Sequence, residues 1–118
     1  MTQLVIELPF PSNKLSPNGR FHWAVVAKAK KEARSTAYYL TKEVLKGSEC
    51  VVTHGYVAVS LEFQPPSRRS YDLDGLLSRS KAYLDGIADA IGIDDKHFRP
   101  TLIMGEPVKG GRVVVKIG

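Results

Sequence analysis

Three aspartates stand out in an otherwise basic chain. Asp72 and Asp74 flank Leu73 just after Arg68-Arg69-Ser70-Tyr71, and Asp95 closes the run Ile93-Asp94-Asp95. Acids kept inside a basic surface suit a hard cation that faces a polyanion. Mg²⁺ takes oxygen ligands, uses one or two carboxylates, and leaves its other positions to water and substrate phosphate. Such a centre activates water against a phosphodiester, so these residue types point to a metal-dependent nuclease with Mg²⁺ as its cofactor. If residues 72–74 are extended, both acids project to one face and Leu73 to the other. Carboxylates so placed repel each other unless a cation lies beside them. The same spacing admits a plainer role: aspartate caps helices and forms turns, so Asp72 or Asp74 can cap a following helix and Asp94-Asp95 can be a turn.

Length and composition bound what can position these groups. The 118 residues suit a single domain, 1–118, and are too few for a second core. Lys and Arg number 17 against 12 Asp and Glu, a net charge of +5, which is as compatible with ordinary solubility as with nucleic-acid binding. The lone Cys50 cannot form an internal disulfide or a thiolate zinc site, and His22, His54 and His97 lack zinc-ligand spacing. No apolar run approaches the roughly 20 residues of a membrane span, and no signal-peptide pattern opens the chain. These features predict a cytoplasmic protein with no membrane partner.

Residues 3–9 alternate as a strand that Pro9-Phe10-Pro11 ends, and 11–19 is a Pro/Ser/Asn/Gly loop. From 21 to 46 the chain lacks Pro and Gly and carries Val26, Ala29, Ala33, Ala37, Leu40 and Val44 at helical spacing, with Gly47 as the stop. Lys28, Lys31, Lys42 and Lys46 fall on the other side of this helix, with Lys30 and Arg34 on its flank. A strand is expected over 51–63, a helix over 76–91 with Leu77, Leu84, Ile87 and Ile91 inward, and strands at 98–105 and 112–117 joined by a Gly110-Gly111 hairpin turn. The order β-α-β-α-β-β predicts an α+β domain, a mixed sheet with helices packed on it. Trp23 is expected to anchor the preceding loop, and Tyr83 and Phe98 to serve either as core or as wedges against a DNA base.

The succession of Pro9-Phe10-Pro11, Ser16-Pro17-Asn18-Gly19-Arg20-Phe21-His22-Trp23, a long basic helix, Asp72-Leu73-Asp74, Lys81-Ala82-Tyr83-Leu84-Asp85-Gly86-Ile87, Asp94-Asp95 and Lys109-Gly110-Gly111-Arg112-Val113 resembles the RusA-type Holliday-junction resolvases. These are endodeoxyribonucleases of bacteria and their phages, and the resemblance covers nearly the whole chain. It implies that Asp72, Asp74 and Asp95 bind Mg²⁺, that Lys81 is needed for cleavage, and that a homodimer nicks opposed strands of a four-way DNA junction. It also implies that the loop holding Asn13 and Asn18, turn formers by type, approaches the active site. Asp94 is then a ligand or a residue that orients one.

Two departures from the family pattern bear on the site. Gly75 stands where Asn commonly follows the second Asp, and Lys81 lies three residues further on than the family's lysine often does. On one continuous helix that shift is about 300°, nearly a full turn and so almost the same face. Lys81 can also serve simply as an i,i+4 partner for Asp85. Lys28, Lys31 and Arg34 on the helix, with Arg68 and Arg69 beside the acids, are candidates to track DNA phosphates, though a solvated Lys-rich face is common. The alternatives are a non-catalytic branched-DNA-binding protein and a nuclease for other branched or flap DNA.

Overall fold

The computed structural model describes residues 4–16, 19–46 and 55–118. Four strands, β1 (Leu4–Pro9), β2 (Val57–Gln64), β3 (Phe98–Met104) and β4 (Arg112–Ile117), form one mixed sheet in the order β1-β4-β2-β3. β4 runs antiparallel to β1 and β2, and β3 lies parallel to β2. Alternating side chains make one face apolar, and the register stacks them: Val115 faces Ile6 on one side and Leu61 on the other, and Val113 faces Leu8 and Phe63. All six are buried, and each stabilises the fold by about 1.5–3 kcal/mol relative to exposure. Pro100 is tolerated in β3 because that strand is an edge.

Helix α1 (Trp23–Leu45) begins where the His22 ring accepts the Ala24 N–H (3.1 Å). It ends at Lys46, which adopts the left-handed conformation (φ 50°), one residue before the expected glycine. Its buried stripe is Ala33, Ala37, Thr41 and Leu45, so Val44, expected inward, is exposed and Leu45 replaces it. A stripe of side chains four residues apart slips about 40° per step around the helix, which moves the contact off Val44.

The helix expected over 76–91 is two helices, α2 (Leu73–Arg79) and α3 (Lys81–Ile91). Fully buried Ser80 turns its hydroxyl back onto the Leu76 carbonyl (2.8 Å), and its N–H reaches Leu77 O (3.0 Å). Such local bonding competes with the helical ladder and breaks its continuity. Lys81 therefore starts a new helix, and the rotation expected on a continuous one does not apply. α3 packs on α1 and ends at Gly92, whose φ of 78° closes the last turn onto Ala88 O (2.9 Å).

Gly110-Gly111 does not close a hairpin, because β2 lies between β3 and β4. The connection instead crosses the end of β2, where the Val108 N–H donates to Pro65 O (2.9 Å). Its glycines are needed for close approach. Both have positive φ, and a Cβ on Gly111 would lie 2.9 Å from both Phe10 and Pro66. The start of the strand expected from 51, together with Cys50 and His54, lies outside the described residues, as do Asn18 and Gly47.

Candidate active site and cationic cleft

The first acidic pair sits where the chain changes from extended to helical. Asp72 is extended (φ −87°, ψ 129°) at the N-cap of α2, and Asp74 is already in the first helical turn. The expectation of an extended Asp-Leu-Asp with both acids on one face is thus corrected: the pair steps around the helix start. Both side chains are exposed, and Asp72 makes no side-chain capping bond, so its carboxylate is not committed to α2.

The second acidic pair divides its labour. Asp94 accepts the Lys96 N–H (3.0 Å) through Oδ1 and so caps the short 3₁₀ turn Asp95–His97. His97 is simply part of that turn. Lys81, the first residue of α3, donates to Asp85 Oδ1 (2.9 Å) and also to Asp95 Oδ2. The i,i+4 partnership therefore exists, and the same ammonium reaches across to a candidate metal ligand.

Three clefts surround α2. The largest, about 750 Å³ between α1 and α2–α3, is lined by Lys30, Lys31, Arg34, Arg79 and Lys81, with Asp85 as its acid. A second, about 460 Å³, holds Asp72 with Arg69, Asn13 and Arg79. A third, about 400 Å³, holds Asp95 with Lys81, Ser78 and Phe98. Asp72 and Asp95 thus line different clefts. Among the described residues no three His, Cys, Asp or Glu side chains form a group able to hold one metal ion. By donor type the residues still fit Mg²⁺, since exposed carboxylate oxygens suit it and two suffice.

Arg79, unnoticed in the sequence, joins the first two clefts. Its guanidinium donates to Pro11 O (2.5 Å) and Ser12 O (3.2 Å) and lies 5.6 Å from the Phe10 ring centre. Burial lowers its pKa from the ordinary value. Its sequence signal is only a basic residue between the Asp-Leu-Asp pair and Lys81.

No family model matches the chain. An uncharacterized protein of Xylella fastidiosa (strain Temecula1 / ATCC 700964) is 41% identical over 113 residues, 95% of this chain and 74% of that protein. The chain belongs to that protein's family.

The remaining candidates separate by environment. Lys31 lines the large cleft, whereas Lys28 lies on another flank, 4.0 Å from Glu32. Arg68 is exposed in the turn before Asp72. Arg34 is committed to Asp89 by two bonds (2.7 and 2.9 Å) that tie α1 to α3. Those bonds hold the Asp89 carboxyl below its ordinary value near 3.8 and raise Arg34. A depressed carboxylate stabilises the fold above its unfolded pKa and loses that contribution as pH falls through its folded value. Arg34→Gln should therefore lower the melting temperature slightly at pH 7, and the difference should shrink as pH falls below the ordinary carboxylate range. Both partners are well exposed, so raised salt should shrink it too.

The aromatic expectations are revised. Tyr83 is core: it is buried, its hydroxyl donates to Pro9 O (2.8 Å), and burial pushes its pKa up to about 12. Phe98 is likewise buried, so neither can wedge against a base. Trp23 anchors no loop; at 75% exposure it is the most open large apolar side chain among the described residues. No helix of the described residues is long and apolar enough to cross a membrane.

Proposed function

We propose that this chain is a Mg²⁺-dependent endodeoxyribonuclease of the RusA type that acts as a homodimer and introduces paired nicks into four-way DNA junctions. The observation that carries the reading is the Lys81 ammonium, on the wall of a cationic cleft, held against Asp95, with Asp72 and Asp74 at the start of α2, the short helix that ends just before Lys81. Asp72, Asp74 and Asp95 would hold Mg²⁺, which when bound activates water and neutralises phosphate charge. Lys81 would stabilise charge on the phosphate during attack. Asp94 would keep Asp95 in place through its cap, and Arg68, Arg69 and Lys31 would contact phosphates. Arg34, already paired, would add only to the field. Opposed nicks need two sites related by a two-fold axis, which one chain of this size cannot supply.

The separation of Asp72 from Asp95 into different clefts favours a second reading, a non-catalytic protein that binds branched DNA. Incubation of a mobile four-way junction with the protein and Mg²⁺ decides between them. Symmetric nicks that a chelator abolishes support the resolvase, and binding with no product under any divalent ion supports the binder. Nicks confined to flaps would mean a nuclease for other branched DNA. Lys31→Ala is expected to flatten the slope of log affinity against log salt by about 0.9, one phosphate contact. Lys28→Ala, near Glu32 and off the cleft, should change it less, as a filter-binding titration across salt concentrations would reveal.

A further inference from the structure

We propose that the cleft between α1 and α2–α3 takes a single DNA strand, with the Trp23 ring as the platform for one base and Lys30, Lys31 and Arg79 contacting the flanking phosphates. The inference rests on the reading of DNA as the substrate and assigns a path to one strand of it.

Helix geometry supplies the first step. At 100° per residue, Trp23, Val26, Lys30 and Arg34 fall within about 80° of arc on α1, and the last three of them line the large cleft. Trp23 therefore continues that lining stripe one turn outward, at the cleft's mouth. Its ring is 75% exposed, with the His22 ring 5.5 Å away at 33° and Phe21 also exposed. A cluster of open aromatic surface on a soluble fold marks a contact site.

Charge supplies the second step. Asp85 is already joined to Lys81, and Arg34 to Asp89. Lys30, Lys31 and Arg79 enter no ion pair among the described residues. Arg79 is fixed by the Pro11 and Ser12 carbonyls at the junction of the first two clefts, where it forms no ion pair among the described residues. A groove of cations edged by an exposed aromatic is the chemistry that holds single strands, phosphates on the charges and a base on the ring. Bases inside a duplex are already stacked and cannot use such a platform. The volume, about 750 Å³, lies within the roughly 300–1,000 Å³ of sites that enclose small-molecule-sized ligands.

Trp23 is the chain's single tryptophan, so emission excited at wavelengths that the five tyrosines do not absorb reports on the platform alone. The protein is titrated with a short oligothymidylate in chelator, with inorganic polyphosphate as a charge-only competitor. Oligothymidylate is expected to quench the emission strongly, while polyphosphate displaces it without quenching. Trp23→Ala should weaken binding of a labelled oligonucleotide about 10-fold by anisotropy, and Trp23→Phe by less. Equal quenching by polyphosphate, an unchanged affinity for Trp23→Ala, or equal affinity for duplex and single strand would each overturn the proposal. Because no metal is present, the result is independent of cleavage: an inert binder can pass this test, and an active nuclease can fail it.

Discussion

Asp74→Asn is expected to reduce junction nicking by about 10²-fold or more while leaving junction binding in chelator unchanged. Asparagine keeps the size and hydrogen-bonding oxygen of the side chain and removes its charge, and Asp74 is exposed in the first turn of α2, so the fold should not notice. A gel assay of nicked product at saturating junction separates turnover from affinity. Asp95→Asn should give a comparable loss, with one difference. It also weakens the hold on Lys81, which keeps Asp85 at 2.9 Å. The neighbouring Asp94 is the internal control. Its carboxylate serves as a cap to Lys96 N–H (3.0 Å), and asparagine caps equally well. Asp94→Asn should therefore stay near wild type, whereas Asp94→Ala, which frees the 3₁₀ turn, should lower activity by displacing Asp95. Full activity in Asp74→Asn would remove Asp74 from the chemistry and place the nicking site elsewhere, whereas no nicking by the wild-type protein under any divalent ion would leave the DNA-binding reading.

Much of the framework was legible because it depends on local pattern. The alternation of Ile6 with Leu8 and of Val59, Leu61 and Phe63 fixed the buried face of β1 and β2, and the Pro/Gly-free stretch marked α1 within a few residues. What pattern could not show were long-range choices. A Gly-Gly turn reads as a hairpin from its own residues; that β2 inserts between β3 and β4 is decided by sheet order. The break at Ser80 has no proline or glycine to announce it, since it depends on a buried hydroxyl finding the Leu76 carbonyl. At the site, the link between Lys81 and Asp95, fourteen residues apart, needs the turn after α3, which sequence allows but does not require. Arg79 was missed for the same reason: its partners, Pro11 and Ser12, lie more than sixty residues away. Trp23 was misplaced because aromatic residues beside turns are usually packed, and its exposure appears only once α1 is set against its neighbours.

The largest effect on stability is expected from Gly86→Ala. In an open helix that change favours folding by up to about 1 kcal/mol, because alanine is the better helix former. Here α3 crosses α1 at closest approach, and a Cβ on Gly86 would collide with the backbone carbonyl of Arg34 and lie 3.0 Å from the Ala37 Cβ. A backbone carbonyl cannot swing aside as a side chain end can, so the helices must separate along the seam that buries Ala33, Ala37 and Ile87. Overpacking of this kind costs about 1–3 kcal/mol, which for a domain this small lowers the melting temperature by roughly 5–10 °C. Gly75→Ala is the contrast: its nearest neighbour would be the Asp72 Cβ at 3.7 Å, an ordinary contact at a half-buried position in a helix, so it should melt at or above wild type. The consequence reaches the site, because α1 carries Lys30 and Lys31 and α3 carries Lys81 on opposite walls of one cleft. A Gly86→Ala protein that stays folded at low temperature should thus bind DNA more weakly. An unchanged melting temperature, measured by circular dichroism, would show that α1 and α3 are not locked at this crossing and that the cleft width is set elsewhere.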